Sequence, residues 1–97
     1  MAHKTRSELQ AEIESAKGKL QLNEKYFHYK HPEKYYMVTG LVILEETDGI
    51  GVVYRAEYAE LQGIVFVRPL ENFLAEVDTE NRKVKRFSLV ENNNITH

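Results

Sequence analysis

The residues best suited to chemistry are polar side chains that interrupt strongly apolar stretches: His28, Tyr29, Arg55, Arg68 and Arg86. A guanidinium group presents a planar fork of donors that matches a carboxylate or phosphate in two-point contact. Arg55 and Arg68, together with His28 and Tyr29, are therefore predicted to form a surface that binds a peptide or a small anionic ligand. The alternative is structural, with each arginine spanning the rim of a sheet and its stem lying over an aromatic ring.

Catalytic and metal chemistry have less support in the sequence. Cysteine is absent, which removes disulfides, thiol nucleophiles and thiolate metal sites. His28 and His31 would face opposite ways on a strand, so neither a metal site nor a cofactor is predicted. Ser88 lies in a predicted strand without the sharp turn that a serine nucleophile needs. A weak hydrolase is therefore the third hypothesis, and it requires a pocket with a carboxylate or histidine of perturbed pKa.

A short basic run favours a second hypothesis, nucleic-acid binding, through Arg82, Lys83, Lys85 and Arg86. Nucleic-acid binders normally carry a basic excess, because their cations release counterions from the phosphates. From Tyr26 onward, however, eight Lys and Arg stand against eleven Asp and Glu. This acidic balance argues against a nucleic-acid partner, and the run also suits a solvated hairpin edge that discourages aggregation.

Length and composition define the class of protein. A chain of 97 residues forms one small domain, and 42% hydrophobic with 29% charged residues is ordinary for a globular protein. No stretch approaches the roughly 20 apolar residues of a membrane span, and the first ten residues are polar. We therefore expect a cytoplasmic protein without membrane contact.

Residues 1–22 predict one amphipathic helix, which runs from Ser7 to about Leu20. Ser7 is the predicted N-cap, with Gln10 at the third helical position of a capping box. A helix this short needs a surface to pack on, so its apolar stripe is expected to cover the protein's own sheet or a second copy in a homodimer. The stripe consists of Leu9, Ile13, Ala16 and Leu20.

Residues 23–90 show the two-residue period of extended strands. Gly40 falls inside a long strand, a position typical of a bulge, and Asp48-Gly49 predicts a turn. In the third strand Tyr54 is expected to face the core and Arg55 an outer face or a rim. The predicted strands are 26–30, 35–44, 52–58, 64–68 and 84–90, with a turn at 31–34, a helical turn at Leu70–Leu74 and a hairpin turn at 79–82.

These elements predict a mainly β fold, a small SH3-like antiparallel β-barrel that closes on itself, with an N-terminal helix and a short helical turn before the last strands. Regular alternation of strand and helix is missing, which argues against a parallel α/β fold. Six tyrosines could line a groove for extended peptides or pack in the core. Residues 91–97 are expected to form a flexible tail.

Five short motifs follow one another along the strands: Tyr26-x-His28-Tyr29-Lys30, Tyr36-x-Val38-x-Gly40, Val53-Tyr54-Arg55-Ala56, Val67-Arg68-Pro69 with Phe73 four residues on, and Val84-x-Arg86-Phe87. Over about residues 26–90 they resemble a family of small bacterial and phage domains with no assigned function. The resemblance implies an SH3-like barrel and no particular activity. The chain has His31-Pro32 where members usually have Lys-Gly, and Lys85 where Pro is typical. Residues and resemblance together predict a non-catalytic binding or adaptor module.

Overall fold

The computed structural model of the protein describes residues 4–91, so most of the predicted tail, residues 92–97, lies outside it. No helix in the described part has the length and apolar character needed to cross a membrane. The elements in chain order are α1 (Arg6–Lys17), β1 (Glu24–His28), β2 (His31–Leu44), β3 (Gly49–Ala56), a 3₁₀ turn (Ala59–Leu61), β4 (Val65–Pro69), α2 (Leu70–Leu74), β5 (Glu76–Asp78), β6 (Lys83–Lys85) and β7 (Phe87–Leu89).

Five of the strands form one antiparallel sheet in the order β4-β3-β2-β1-β7, and β5 pairs with β6 in a separate hairpin. The mainly β prediction is therefore confirmed, together with the N-terminal helix and the helical turn at α2. The expected closed barrel is wrong, because β4 and β7 are the two edges of the sheet and do not pair. β4 ends at Pro69 and leads directly into α2, while β7 is only three residues long, so neither edge extends to meet the other.

The long second strand bends at the predicted bulge. Val38 pairs with Tyr54 and Gly40 pairs with Val53, which leaves Thr39 as an extra residue on β2. A bulge of this kind increases the local twist of a strand. β2 pairs with β1 over its first part, as far as Val38, and with β3 from Tyr36 to Leu44.

Aromatic rings fill the concave side of the bent sheet. Tyr54 is buried as predicted, together with Val52 and Ala56 on the same face of β3. The ring of Phe73, on α2, stacks on that of Phe87, with centroids 4.2 Å apart and an interplanar angle of 4°. Full burial of side chains of this size contributes about 1.5–3 kcal/mol each. The core cluster comprises Leu20, Tyr26, Val38, Val52, Tyr54, Phe73 and Phe87.

The first helix begins two residues earlier than predicted, with Thr5 and not Ser7 as its N-cap. The Glu8 backbone N–H donates to Thr5 Oγ1 (3.2 Å), and the Thr5 N–H donates to Glu8 Oε1 (2.8 Å). Threonine and glutamate thus form the capping box, and the Glu8 carboxylate also interacts favourably with the helix dipole, which a Gln10 amide would not do. Ala16 of the predicted stripe is buried, and α1 contacts β2 and β3. The helix ends at Lys17 and not at about Leu20, so Leu20 is buried just beyond it.

The first hairpin turns at Tyr29 and Lys30, and not at residues 31–34 as predicted. His28 pairs with His31, and the Lys30 backbone N–H donates to His28 Nδ1 (3.2 Å), which closes a tight turn. The register then shifts so that Phe27 pairs with Tyr35. Residues 32–34 consequently have no partner on β1, and a proline without an N–H is tolerated there.

The predicted last strand, 84–90, is divided at Arg86. Its backbone N–H donates to the Ala75 carbonyl (2.9 Å), and its own carbonyl accepts from the Tyr29 N–H (3.0 Å). These bonds redirect the chain from the β5–β6 hairpin to the edge of the main sheet, where Phe87 becomes buried. Arg86 therefore joins the two sheets.

Two glycines of the sheet differ in how closely neighbouring side chains approach them. A Cβ at Gly51 would lie 2.9 Å from Leu44 Cδ2 and 3.0 Å from Val67 Cγ1, whereas one at Gly40 would meet nothing within 4 Å. We predict that Gly51→Ala destabilises the fold by roughly 1–3 kcal/mol, the usual cost of overpacking. Gly40→Ala, the matched control, should be neutral or stabilising by about 0.4–1 kcal/mol, because neither its space nor its backbone requires glycine. Urea denaturation measures both, and equal effects would contradict this difference in packing around the two glycines.

Candidate functional site

Arg68 lies on the concave face of the sheet, opposite Val52. Its Nε donates to the Tyr54 hydroxyl (3.1 Å), and its Nη1 donates to Asn72 Oδ1 (2.6 Å). The guanidinium carbon is 5.2 Å from the centroid of the Phe87 ring, a cation–π distance. The side chain is thus half-buried and held in place by neutral groups.

A second guanidinium group reaches the same residue of α2. Arg86 Nε donates to the backbone carbonyl of Asn72 (3.1 Å). Asn72 therefore accepts one hydrogen bond from each arginine, through its side chain and its main chain respectively. Within residues 4–91 neither guanidinium forms an ion pair with a carboxylate; the ion pairs of the described chain lie elsewhere.

His28 lies beside the two arginines, at the end of β1. Its ring is 5.0 Å from Phe87 in an edge-to-face arrangement and 4.8 Å from Tyr29. Burial lowers the pKa of His28 below its usual 6.5, and the positive charges of Arg68, Arg86, Lys30 and His31 lower it further. The imidazole is therefore neutral at pH 7. Because Nδ1 accepts a hydrogen bond, the proton of the neutral ring lies on Nε2. We call His28, Arg68, Asn72 and Arg86 the cationic cluster.

Three tyrosines stand beside the cationic cluster on the concave face. The Tyr36 and Tyr58 hydroxyls are 3.0 Å apart, and the Tyr36 ring meets the Tyr54 ring edge to face at 5.3 Å. Burial raises the pKa of Tyr36, and the hydrogen bond with Tyr58 raises it further. The Tyr36 hydroxyl consequently remains protonated at physiological pH. We call Tyr36, Tyr54 and Tyr58 the tyrosine wall.

Arg55 does not join this site, which corrects the predicted surface. It lies opposite Met37 and Val65 on the outer face of the sheet, and its Nε pairs with Glu57 Oε2 at 2.8 Å. Neighbouring residues of a strand face opposite sides, so burial of Tyr54 places Arg55 outside. The register that sets Arg68 opposite buried Val52 places Arg68 inside. The structure thus brings together three of the four predicted binding residues: His28, Tyr29 and Arg68.

The cationic cluster contains two residues that were not predicted to belong to the anion-binding surface, Asn72 and Arg86. Arg86 was assigned to the basic run because its neighbours in sequence are basic. Asn72 follows Arg68 by four residues, but Arg68 lies in β4 and Asn72 in α2, so a helical spacing gave no signal for this contact.

The basic run does not form a single surface. Lys83 and Lys85 are exposed on β6, where Lys83 pairs with Asp78 at 3.6 Å. The Arg82 carbonyl accepts a hydrogen bond from Thr79 in the turn. Arg86 instead binds Asn72 on the concave side. The predicted patch of Arg82, Lys83, Lys85 and Arg86 is therefore split between a hairpin and the cationic cluster.

Several clefts lie away from the cationic cluster, among them one of about 470 Å³ that is lined in part by Tyr29, Arg82 and Lys85. One of about 290 Å³ has Lys19, Tyr26, Phe73 and Lys85 among its lining residues, and one of about 540 Å³ lies between α1 and α2. Neither is lined by His28 or by the two cluster arginines. Among residues 4–91 no group of three or more His, Cys, Asp or Glu side chains could hold a metal ion.

Comparisons with known proteins relate the chain to one family. The family model described as a protein of unknown function, DUF1653, matches residues 24–89, which include every strand of the main sheet and the whole cationic cluster. A crystal structure of a DUF1653 protein from Bordetella bronchiseptica is 34% identical, with a TM-score of 0.61 over 70% of this chain and 85% of that chain. None of the curated proteins matches the chain. The match over most of the chain establishes that this protein belongs to the DUF1653 family.

Proposed function

We propose that this protein is a non-catalytic binding module whose cationic cluster holds an anionic group of a peptide or small molecule. One observation carries the proposal: Arg68 and Arg86 converge on neutral Asn72, and within residues 4–91 neither has a carboxylate partner. Partly buried cations are normally paired with an anion. A ligand oxyanion would supply the missing charge.

The geometry of Arg68 suits such a ligand. Its hydrogen bonds to Tyr54 and Asn72 use Nε and one hydrogen of Nη1. The second hydrogen of Nη1 and both hydrogens of Nη2 can then donate to two oxygens of a carboxylate or phosphate. Because the side chain is already fixed over the Phe87 ring, little rotamer entropy is lost on binding.

The tyrosine wall favours a ligand that extends beyond one charged group. The Tyr36 hydroxyl is protonated and shares a hydrogen bond with the Tyr58 hydroxyl, so this pair offers polar groups beside the arginines. Both side chains are half-buried and offer ring surface to an apolar neighbour. A peptide with a carboxylate next to an apolar residue fits this combination, and so does a small amphipathic acid.

The two other functions have weaker support. Nucleic-acid binding would need a continuous basic surface, but Lys83 and Lys85 lie on a hairpin away from the charge of Arg86. A weak hydrolase would need a titratable group of shifted pKa inside a pocket. His28 has such a pKa but lines none of the clefts described above.

We also infer that the sheet is an open relative of the SH3-like barrels. Four consecutive strands pair in sequence, and the last strand, β7, returns to lie beside β1 after a short helical turn. The long, bulged β2 shared by two neighbours is the element that would bend such a sheet towards a barrel. In this arrangement the concave face, with its tyrosines, is the surface on which a ligand would rest.

Removal of one charge tests the anion site. We predict that sulfate binds the wild type with a Kd of about 1 mM, and that Arg68→Gln weakens this binding about tenfold or more, as expected for loss of charge-assisted hydrogen bonds. Arg55→Gln, which removes the same charge from the outer face, should change the affinity by less than about twofold. NMR titration of the arginine Nε–Hε signals at constant ionic strength measures all three proteins.

The source of the anion is tested by titration with a blocked dipeptide that carries a free C-terminal carboxylate and with its C-terminal amide. Binding of the acid alone indicates a carboxylate ligand, and binding of sulfate alone indicates a phosphate-like one. Circular dichroism serves as the folding control, since Arg68→Gln also loses the hydrogen bonds to Tyr54 and Asn72. Failure of every probe, or equal losses in Arg55→Gln and Arg68→Gln, would refute the anion site.

The pH dependence of binding provides a second test. The pKa of His28 lies below 6.5 in the free protein, and a bound anion would favour the imidazolium form and raise this pKa. By linkage, sulfate must then bind more tightly as the pH falls through the His28 pKa of the bound protein towards the lower pKa of the free protein, by about tenfold in total for each unit by which the pKa rises. Sulfate keeps its charge over this pH range, so a change in its affinity reflects protonation of the protein. NMR titration of the His28 ring with and without sulfate measures it, with His28→Gln as a pH-independent control. An unchanged His28 pKa would contradict the proposed site.

A further inference from the structure

The free edge of β4 is the most apolar exposed feature of the described chain. β4 pairs with β3 on one side only. Val65 and Val67 on its outer face are 57% and 51% exposed, and Ile64 just before it is 49% exposed. Unpaired edge strands of this composition readily pair with another strand, and proteins usually protect them with charges, bulges or covering elements. The outer face of β4 carries no charged side chain.

The hydrogen bonds around Ala56 identify the peptide groups that are available at this edge. Its N–H donates to the Ile64 carbonyl (2.9 Å), and its carbonyl accepts from the Gly63 N–H (3.0 Å). Peptide groups along an antiparallel strand alternate in direction, so those of Phe66 and Arg68 point towards β3. The peptide groups of Val65, Val67 and Pro69 consequently point away from the sheet, where Pro69 offers only its carbonyl.

We propose that a second copy of this chain pairs with β4 in antiparallel fashion, about a two-fold axis that passes through Val67. In this register the two Val67 residues exchange N–H to C=O hydrogen bonds. Each Val65 N–H donates to the Pro69 carbonyl of the other copy. These four bonds join two five-stranded sheets into one of ten strands, and the missing N–H of Pro69 costs only one bond at each end.

The side chains support a second copy as the occupant. A two-fold contact must be self-complementary, and this register places Val67 beside its own symmetry mate on the outer face. On the concave face it places Arg68 of one copy beside Phe66 of the other, so the two Arg68 side chains are not directly opposite each other. A guanidinium beside an aromatic ring is favourable, whereas like charges directly opposite on paired strands are destabilising.

The contact involves only five residues of each strand, so it belongs with small, reversible interfaces. We therefore expect self-association with a Kd of about 0.1–1 mM. This inference does not depend on anion binding, because neither the backbone hydrogen bonds of β4 nor the side-chain contacts between the two copies require a bound anion. Loss of sulfate binding in Arg68→Gln would leave it untouched.

Sedimentation velocity over a concentration series up to about 1 mM tests the dimer, with amide hydrogen exchange as the second readout. The wild type should form dimers, and protection of the Val65 and Val67 amides should increase with concentration while Phe66 and Arg68 remain protected throughout. Val67→Lys places two lysines directly opposite each other across the axis and should weaken association at least about tenfold. Val42→Lys, which makes the same change on the same face but two strands away from the edge, should associate like the wild type.

Three results would overturn the proposal. The first is a monomer at every concentration, with rapid exchange at Val65 and Val67, which would leave the edge open to a strand from another protein. The second is a dimer that Val67→Lys does not weaken. The third is a dimer without protection of the Val67 amide, which would indicate association through another face. Because the exchange measurement uses the wild type, it remains decisive even if Val67→Lys is unstable.

Discussion

Two arginines donate to one asparagine, and the rest of the structure is arranged around that junction. Arg68 lies at the end of β4, Arg86 lies between β6 and β7, and both bind Asn72 on the short helix between them. The junction therefore links the main sheet, the helix and the hairpin. A cation that is half-buried loses part of its hydration, and neutral acceptors compensate for this only in part. The fold retains two such cations side by side, a local cost that proteins typically accept at functional sites.

The aromatic core makes this arrangement possible. The stacked rings of Phe73 and Phe87 fix α2 against the sheet, and the same Phe87 ring also contacts Arg68 and His28. Tyr54 belongs to the core through its ring and to the site through its hydroxyl. Packing energy thus holds the polar groups in position, and the same residues serve both stability and the proposed binding. Substitutions that truncate an aromatic side chain of this core would disturb the fold and the site together. Substitutions that remove only a charge separate the effect on binding from the effect on the fold.

Much of the local structure followed from periodicity. The inward orientation of Tyr54, the outward orientation of Arg55, the bulge at Gly40 and the helical turn at Leu70–Leu74 were all predictable, because each depends on neighbours in the chain. The N-cap was misplaced because two capping signals lie two residues apart, and only the earlier one is used.

What the sequence could not provide was the meeting of distant segments. In the sequence Arg86 belongs to a basic run. In the structure its backbone hydrogen bonds to Ala75 and Tyr29 direct its side chain towards Asn72. Likewise, strand alternation could separate Arg55 from Tyr54, but only the β3–β4 register shows that Arg68 shares the face of Tyr54. The prediction of a closed barrel was wrong for a similar reason. Closure depends on whether two edge strands that are far apart in sequence extend towards each other.

The most direct test of the central claim is to build the missing anion into the junction. Asn72→Asp is nearly isosteric and keeps the oxygen that accepts from Arg68, but it adds a carboxylate between the two guanidinium groups. The account predicts that this variant stays folded and loses sulfate binding by about tenfold or more, because the charge is already satisfied. Asn81→Asp, in the exposed hairpin turn, changes the net charge equally and should bind sulfate like the wild type. Sulfate binding by Asn72→Asp with unchanged affinity would contradict the account.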